Sequence, residues 1–440
     1  MVGLSEALCV IGLGYIGLPT AVIFANNEFE VIGVDVNDFK VAMVNSGRSY
    51  LKEPGLADLL RRVVLEGKFR ATTNIDEALE RCDIFLIDVP TPVKAGIVDL
   101  SYVVNVSKII ARRLRRNVLV VIESTVPPGT TNGLVRNILE KSSGLRADDD
   151  FYLAHVPERI APGRAIEELL HVPRIVGGVG PRSTEKTLEV YRRVNSNLLP
   201  VDATTAEFVK LIENTFRDLN IAFANLIALI AEKLGIDVYE AIRLANTHPR
   251  VNIHWPGTGV GGPCLTKDPY MLTSILPNFW GVELIKISRK INEYMPYHII
   301  ELVERVARLE GLNLASSKIT VLGVTYKGGI DDTRESPAKI VVTELIRRSK
   351  EVVVCDQYTH KSFGATRSEN VEDAVKDADM MIVVTDHPEF KSLNLRKLGK
   401  LMKHKIIIDG RRIFEPYQAI SAGFKYYGIG YGRPWKACAF

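Results

Sequence analysis

Short apolar runs and longer amphipathic segments follow one another along this chain, and their order predicts an α/β fold. Runs with the length of buried strands occupy residues 7–11, 30–34, 84–89 and 118–122, with helix-like segments between them. Continuous apolar runs of this length are typical of parallel strands that helices cover on both faces. The first part of the chain therefore predicts a doubly wound parallel sheet.

A different pattern occupies the middle of the chain. Residues 202–234 predict a long helix without proline, and its centre, residues 221–231, is apolar on nearly all sides. Such a helix is buried, either between domains or in a subunit interface. Two more helices are predicted at residues 238–245 and 283–308.

The opening pattern then repeats. Strands are predicted at residues 318–322 and 351–354, with loop and helix over residues 326–346 between them. We predict an α/β fold with two doubly wound Rossmann-like domains, joined by a central all-helical domain that contains the long helix. The chain has 440 residues, and domains average ~150 residues, so the length suggests two or three domains. The predicted boundaries are 1–201, 202–310 and 311–440.

Charge and hydropathy argue against several classes of protein. The formal net charge is +4, and no block of lysine and arginine is long enough to form a nucleic-acid-binding arm. No apolar run is long enough to span a membrane, and residues 1–7 lead directly into a strand-like run rather than resembling a signal peptide. We therefore expect neither nucleic acid nor a membrane as a partner.

A glycine motif follows the first predicted strand. Residues 12–17 read Gly-Leu-Gly-Tyr-Ile-Gly, a helix follows, and the second strand ends at Asp35. The three glycines allow a tight turn, close approach of the backbone to a pyrophosphate and close helix packing. An acid at the end of the second strand accepts hydrogen bonds from ribose hydroxyls, which favours NAD over NADP. The predicted cofactor residues here are Gly12, Gly14, Tyr15, Ile16, Gly17 and Asp35.

Two further strands end in small polar residues. Pro90 and Thr91 follow the strand at residues 84–89, and Ser124 and Thr125 follow the strand at residues 118–122. Ligands of open parallel sheets bind beyond the carboxyl ends of the strands, so we expect these four residues to border the cofactor. The alternative is that they are ordinary helix caps.

The five cysteines differ in their surroundings. They are scattered and include no Cys-x-x-Cys pair, which argues against a disulfide framework or a zinc site and favours a reducing compartment. Cys264 follows a glycine-rich bend and precedes Lys267 and Asp268. A neighbouring cation can hold a thiol as a nucleophilic thiolate, whereas the alternative for this cysteine is a small buried hydrophobe. The other four cysteines are Cys9, Cys82, Cys355 and Cys438.

Two other loops carry candidate chemistry. Glu158 and Arg159 lie between apolar residues, which indicates either a functional loop or a surface ion pair. Residues 326–336 combine glycine with lysine and arginine but lack Gly-x-Gly-x-x-Gly. This second loop suits a phosphate-bearing ligand that is not a second dinucleotide, or it is a solvated charged turn.

Taken together, these segments resemble the nucleotide-sugar 6-dehydrogenase family. The resemblance extends from Val10 to about Phe414, and its landmarks occur in the family's order. They are the motifs at residues 12–17, 123–127, 157–158, 210–214, 261–264, 332–336 and 409–412.

The resemblance implies a reaction and a set of roles. NAD would oxidise the C6 alcohol of a UDP-sugar to a carboxylate in two steps, through a thiohemiacetal and a thioester on Cys264. Lys210 and Asn214 would stabilise the oxyanion, and Glu158 would take part in thioester hydrolysis. Asp268 and Thr125 would position water and assist proton transfer. Such enzymes are cytoplasmic and serve polysaccharide biosynthesis.

The same resemblance implies the remaining ligand contacts. Tyr326, Lys327 and Arg411 would hold the uridine diphosphate, and Arg334 would reach the cofactor side. Arg250 would enter the site of a neighbouring subunit, which implies a homodimer built on the helix at residues 202–234. The full set of residues expected to contact the UDP-sugar is Glu158, Arg159, Lys210, Asn214, His248, Arg250, Gly261, Tyr326, Lys327 and Arg411.

The identity of the sugar is predicted from two segments. Residues 157–163 and 248–252 look like the branch of the family that uses UDP-N-acetyl-D-mannosamine, whereas Lys267 looks more like the UDP-glucose branch and Pro263 departs from the hexosamine pattern. We predict UDP-N-acetyl-D-mannosamine, with UDP-glucose second and UDP-N-acetylglucosamine or UDP-N-acetylgalactosamine behind. A non-catalytic nucleotide-sugar-binding regulator is disfavoured because Cys264 and its predicted partners are all present.

Overall fold

The computed structural model describes residues 7–94 and 96–434, so Cys438 lies outside the described residues. The helices are α1 Gly17–Asn26, α2 Asp38–Asn45, α3 Leu56–Leu65, α4 Ile75–Arg81, α5 Ser101–Ala111, α6 Arg136–Ser143, α7 Ala165–His171, α8 Pro181–Arg192, α9 Ala203–Leu234, α10 Val238–Ala245, α11 Asp268–Thr273, α12 Glu283–Leu309, α13 Ala338–Arg348, α14 Val371–Val375, α15 Leu395–Leu401 and α16 Pro416–Ser421.

The strands fall into two large sheets and one short hairpin. They are β1 Ala7–Ile11, β2 Glu30–Val34, β3 Phe69–Thr72, β4 Ile84–Ile87, β5 Val93–Lys94, β6 Ile97–Val98, β7 Leu119–Ile122, β8 Tyr152–His155, β9 Arg174–Gly178, β10 Leu198–Asp202, β11 Lys318–Leu322, β12 Glu351–Cys355, β13 Thr366–Ser368, β14 Met380–Val383, β15 Ile406–Asp409 and β16 Lys425–Gly428. In the described part of the chain, the hairpin is the pair β5 and β6.

Contacts divide the chain into two compact units. The first unit extends to Glu213 and includes Lys267–Pro277, and the second comprises Asn214–Thr266 and the residues from Asn278 onward. The division at residues 201/202 and 310/311 stays a prediction.

The first unit is built on an eight-stranded sheet in the order β10-β9-β8-β7-β4-β1-β2-β3. Its pairs are parallel except that between β8 and β9. Successive residues of β1 point to opposite faces, so Leu8 and Val10 join one hydrophobic core and Cys9 and Ile11 join another. Burial on both faces explains why the strands read as continuous apolar runs.

The second unit repeats this construction with a six-stranded parallel sheet, in the order β13-β12-β11-β14-β15-β16. Ile319 and Val321 of β11 face one core, where α10, α12 and the second half of α9 also pack. Leu322 faces the opposite core. Within each unit, the carboxyl ends of the parallel strands lie along one edge of the sheet, where ligands of such folds bind.

The predicted doubly wound α/β fold with a long central helix is confirmed. Strands β1, β2 and β11 and helix α10 have the predicted bounds, and α9 begins one residue later than predicted. The predicted stretch of loop and helix over residues 326–346 is loop as far as Pro337, because α13 begins only at Ala338. Over residues 7–94 and 96–434, no helix combines the length and apolar character needed to cross a membrane.

Candidate active site

The turn between β1 and α1 leaves room for a phosphate. Gly12 has φ +100°, and a Cβ on it would lie 2.3 Å from the carbonyl oxygen of Asp88. A Cβ on Gly17 would lie 1.9 Å from the carbonyl oxygen of Gly12, so neither position accepts a side chain. Gly14, in contrast, has no neighbouring atom within 4 Å of a Cβ. The open space above Gly14 faces the start of α1 and fits the pyrophosphate of NAD.

Asp35 is fixed beside that turn. Its carboxylate accepts hydrogen bonds from the backbone N–H of Leu13 at 2.9 Å and of Asn37 at 3.0 Å, and from Nζ of Lys40 at 2.8 Å. Asp35 retains 8% of its side-chain exposure. The residues of the turn therefore fit the adenosine ribose of NAD, with an oriented acid that water or a hydroxyl group can still reach.

The loops after β4 and β7 are tied together. Oγ of Ser124 accepts a hydrogen bond from the N–H of Val89 at 2.9 Å and donates to the carbonyl oxygen of Val89 or Ile87. Lys267 donates from Nζ to Oγ1 of Thr91 at 3.0 Å. Pro90 is exposed and Thr125 is half-buried. The predicted cofactor loops are therefore held by bonds within the first unit.

A buried acid pair lies beneath those loops, and it was not anticipated from the sequence. Glu123 accepts hydrogen bonds from Nη2 of Arg174 and the hydroxyl of Tyr191, both at 2.7 Å. Burial, followed by the negative charge of Glu123, raises the pKa of Asp88 well above its ordinary value. Because Oδ2 of Asp88 and Oε2 of Glu123 are both buried, one shared proton between the carboxyl groups satisfies both.

Lys210 is paired with Glu158 inside the first unit. Nζ of Lys210 donates to the carbonyl oxygen of Glu158 at 2.7 Å and to Oε1 at 3.0 Å, and both side chains are buried. Burial, assisted by the charge of Lys210, lowers the pKa of His155 to about 3, so His155 is neutral. The structure thus brings together two of the predicted catalytic residues as a buried ion pair.

The residue beside this pair has partners of its own. Arg159 donates from Nε to Glu213 at 3.2 Å and from Nη2 at 2.5 Å, and it donates from Nη1 to the carbonyl oxygen of Pro173 at 2.6 Å. Three of the five N–H donors of a guanidinium are therefore engaged within the protein. Asn214 lies one turn beyond Lys210 on α9 and is buried.

In the second unit, the glycines before Cys264 allow close approach to a neighbouring loop. A Cβ on Gly261 or on Gly262 would lie 2.7 Å from the side chain of Tyr326. The N–H of Gly262 donates to the carbonyl oxygen of Arg334 at 3.1 Å. The glycines therefore place the half-buried Cys264 on a loop that packs against Tyr326.

A buried polar network holds both ends of the loop over residues 257–265, called here the cysteine loop because it carries Cys264. Asn225 accepts a hydrogen bond from the N–H of Gly257 at 2.9 Å, and its amide donates to Asn292 at 2.9 Å. Asn292 and Arg289 both donate to Asp218, at 2.8 and 2.7 Å. Arg289 also donates to the carbonyl oxygen of Leu265 at 3.3 Å, next to Cys264. This network positions the segment that carries Cys264.

The chain returns to the first unit at Lys267. Lys267 and Asp268 come three and four residues after it, and Asp268 is fully buried at the start of α11. The remaining cysteines of the described chain, Cys9, Cys82 and Cys355, are buried. Burial raises the pKa of Cys355 to about 11, so it stays a thiol.

The second unit also presents a polar cavity. Nη2 of Arg411 donates to Asp386 at 3.1 Å, and a Cβ on Gly257 would lie 2.5 Å from Nη1 of Arg411. Arg411 lines a cavity of about 310 Å³ beside Tyr239 and Trp255, whose rings stack with centroids 4.9 Å apart. An aromatic pair and an arginine suit a planar, phosphorylated ligand.

The other predicted ligand residues of this unit lie on loops. Lys327 is exposed and Tyr326 half-buried. Arg334 forms a bidentate ion pair with the buried Asp332, with its Nη2 2.6 Å from Oδ2. His248 and Arg250 are exposed in the turn after α10.

Three family models match this chain, and all three describe the UDP-glucose/GDP-mannose dehydrogenase family. The NAD binding domain matches residues 6–195, the central domain matches residues 204–294 and the UDP binding domain matches residues 320–416.

Individual relatives extend over the whole chain. The UDP-N-acetyl-D-mannosamine dehydrogenase of Pyrococcus horikoshii is 46% identical over 428 residues, covering 97% of this chain and 99% of the relative. A solved structure of the UDP-D-ManNAc dehydrogenase of that organism matches with a TM-score of 0.91 at 44% identity. The match covers 97% of this chain and 100% of the solved chain. A solved UDP-glucose dehydrogenase of Pyrobaculum islandicum has a TM-score of 0.87 at 31% identity. This match covers 98% of this chain and 99% of the solved chain.

Proposed function

Because this chain belongs to the UDP-glucose/GDP-mannose dehydrogenase family and uses NAD, we propose that it oxidises the C6 hydroxyl of UDP-N-acetyl-D-mannosamine to a carboxylate. The product is UDP-N-acetyl-D-mannosaminuronate, a precursor for polysaccharide biosynthesis. The observation that supports this substrate most strongly is the 46% identity, over 97% of the chain, with an enzyme of that name.

The reaction removes four electrons from one carbon. The C6 alcohol, two NAD⁺ and one water give the carboxylate, two NADH and three protons. The sulfur of Cys264 attacks the C6 aldehyde to form a thiohemiacetal, whose oxidation gives a thioester. Water then attacks the thioester carbonyl and releases the sulfur. NAD supplies the hydride acceptor for both oxidations.

Residues of the first unit and of α9 have proposed roles around this carbon. Lys210 and Asn214 donate hydrogen bonds to the oxyanion, and the bond from Lys210 to Glu158 supports a lysine that is already oriented. Glu158 takes part in thioester hydrolysis. Asp268 and Thr125 position the water and move its proton.

The uridine diphosphate has a proposed site in the second unit. Tyr326, Lys327 and Arg411 hold it, with Gly261 allowing its close approach. The cavity beside Arg411 and the match of residues 320–416 to a UDP binding domain support this assignment. Arg334 is proposed to act on the cofactor side.

The preference for the acetamido sugar is proposed to depend on Glu158, Arg159, His248 and Arg250. Arg159 is oriented by Glu213 and Pro173, so it would meet the acetamide in a fixed geometry. Buried polar groups that lack a partner are costly, so a site built for an acetamide should reject a C2 hydroxyl. UDP-glucose remains the second candidate.

A homodimer is proposed on the basis of an exposed apolar stripe on α9. Exposed side chains recur at helical spacing, namely Phe208, Ile212, Phe216, Phe223, Leu226, Ile230 and Leu234. A stripe of this kind is the expected interface of two copies, to which Arg250 of each copy would contribute. Light scattering of wild type and Phe216→Glu tests this proposal, and a monomeric wild type would contradict it. The scattered cysteines favour a reducing, cytoplasmic location.

The function is tested by mixing the protein with NAD and a panel of UDP-sugars and following NADH absorbance. We expect the highest rate with UDP-N-acetyl-D-mannosamine and two NADH for each sugar acid released. Cys264→Ala should nearly abolish acid formation, because no thioester can form. Faster oxidation of UDP-glucose would overturn the choice of sugar, and uronate formation by Cys264→Ala at the normal rate would overturn the mechanism.

A further inference from the structure

His387 is fully buried at the carboxyl edge of the second sheet, a few residues after β14. Its ring lies between the turn that follows β11 and the acid that follows β12. The turn carries Tyr326 and Lys327, and the acid is Asp356. Neither the sequence pattern nor the proposed reaction gives this histidine a role.

The hydrogen bonds of His387 define its protonation. The backbone N–H of Gly329 donates to Nδ1 at 3.0 Å, so Nδ1 carries no proton. Nε2 lies 3.0 Å from Oδ2 of Asp356, which can only accept, so Nε2 carries the proton. The ring therefore bridges Asp356 and the turn.

Aromatic neighbours prevent the ring from turning. The ring of Tyr358 stacks on it with centroids 4.6 Å apart, and the ring of Phe390 meets it edge-on at 5.3 Å. The hydroxyl of Tyr358 donates to Glu389 at 2.6 Å, which fixes the stacked ring in turn. The acceptor at Nδ1 is thus held in one place.

The residues before His387 contact the same turn. Oγ1 of Thr385 donates to the carbonyl oxygen of Thr325 at 2.6 Å. A Cβ on Gly328 would lie 2.3 Å from the carbonyl oxygen of Asp386, so the two segments pack backbone against backbone. The carboxylate of Asp386 meanwhile accepts from Arg411 at 3.1 Å. The segment Thr385-Asp386-His387 therefore orients both the turn and Arg411.

We propose that His387 is a positioning residue for the uridine diphosphate, which acts by holding the Tyr326–Lys327 turn through the N–H of Gly329. This inference rests on the proposed role of Tyr326 and Lys327 in binding the nucleoside diphosphate. A residue that served only the stability of the sheet would influence ligand affinity no more than any other core residue.

Nε2 also lies 3.3 Å from Oγ1 of Thr325, so the ring has three hydrogen-bond contacts. Two substitutions separate the contact of Nδ1 from those of Nε2. The Oδ1 atom of an asparagine occupies the place of Nδ1 and accepts from Gly329, whereas the Nε2 atom of a glutamine occupies the place of Nε2 and donates to Asp356. His387→Asn therefore keeps the bond to the turn, and His387→Gln keeps the bond to the acid. Tyr358→Phe is the control, because it keeps the stacked ring and removes the hydroxyl that bonds to Glu389.

The measurements are the Kd of UDP by calorimetry, the KM of the UDP-sugar, kcat and the KM of NAD. His387→Gln should weaken UDP binding and raise the UDP-sugar KM by about tenfold, the effect of one lost buried hydrogen bond. It should leave kcat and the NAD KM close to wild type. For His387→Asn and Tyr358→Phe, all four quantities should stay within about threefold of the wild-type values.

Equal UDP affinity for wild type and His387→Gln, or equal losses in His387→Asn and His387→Gln, would overturn the positioning role. Should His387→Gln fail to fold, the isosteric Thr385→Val removes the bond from the same segment to the carbonyl oxygen of Thr325. A UDP affinity equal to wild type would then overturn the proposal. A wild type that binds no UDP would instead overturn the proposed function, on which this inference depends.

Discussion

The two units build the same turn with the same acid, but a buried histidine covers the acid only in the second unit. In the first unit, Asp35 follows β2 and accepts from the N–H of Leu13 at 2.9 Å. In the second unit, Asp356 follows β12 and accepts from the N–H of Val324 at 2.7 Å. Asp35 has a half-exposed lysine beside it, whereas Asp356 is covered by His387.

The difference separates what the acid does for the fold from what it does for a ligand. In both units it fixes the backbone of the turn after the first strand. In the first unit a ribose can also reach it, and α1 begins at Gly17, directly after the glycine motif. In the second unit the acid is already satisfied, and α13 begins only at Ala338, after a long loop. We therefore expect the second unit to hold no dinucleotide, and we propose its loop for the uridine diphosphate.

The largest expected effect is that of Asp356→Ala on stability. The N–H groups of Val324 and Tyr358 and the ring N–H of His387 would lose their acceptor inside the protein. Each unsatisfied buried donor costs about 1–3 kcal/mol, so the free energy of unfolding should fall by about 3 kcal/mol or more. Urea denaturation measures this. A loss no larger than that of Asp35→Ala would remove the distinction between the two acids.

The next effect is that of Asp35→Ala on the affinity for the cofactor and on the choice between NAD and NADP. The KM of NAD should rise about tenfold and the preference for NAD over NADP should narrow, because the ribose loses its acceptor and a 2′-phosphate is no longer repelled. Lys40→Ala is the control, since it leaves the carboxylate in place. Initial rates with both cofactors check this, and an unchanged preference would contradict it.

The third effect depends on pH and concerns the strand end beside the glycine turn. The N–H of Asp88 bonds to Ile11 in the first unit, and the N–H of Val384 bonds to Leu322 at the same place in the second. Burial and then the charge of Glu123 raise the pKa of Asp88 in the folded state. The folded chain therefore holds a proton on Asp88 that the unfolded chain releases above about pH 4. The contribution of Asp88 to the free energy of unfolding therefore falls as the pH rises.

Asp88→Asn should remove that dependence, because the amide donates to Glu123 without a titrating proton. Between pH 5 and 8 the stability of the variant relative to wild type should therefore rise with pH, by at most about 1.4 kcal/mol for each pH unit. Unfolding curves at several pH values measure this. Parallel pH profiles for wild type and variant would show that Asp88 is ionised in the fold.

The local sequence pattern was sufficient to predict much of the fold. Residues 12–17 and Asp35 predict their turn because glycine spacing and a strand-end acid act over neighbouring residues. Helix α10 could be predicted to the residue, since Asp237 caps it by accepting from the N–H of Tyr239. The loop as far as Pro337 was harder to delimit, because its shape depends on packing against the cysteine loop rather than on its own residues.

Contacts between distant residues could not be read from the sequence. Arg289 reaches Asp218 across 71 positions to hold the carbonyl oxygen of Leu265, and nothing local marks either residue. His387 is a lone histidine, the kind that is usually a core residue. One signal was present, because Asp356 repeats the position of Asp35 and a buried acid needs a partner. That partner comes from the end of β14, which pairs with β11 on the side away from β12.

Counting the NAD molecules that each chain binds is the most direct test that only the first unit holds a dinucleotide. Calorimetry should give one NAD per wild-type chain in the absence of a UDP-sugar, with affinity weakened about tenfold in Asp35→Ala. UDP should still bind to Asp35→Ala as it does to wild type. Two NAD per chain, or one NAD whose affinity is the same in Asp35→Ala, would contradict the assignment of the cofactor to the first unit.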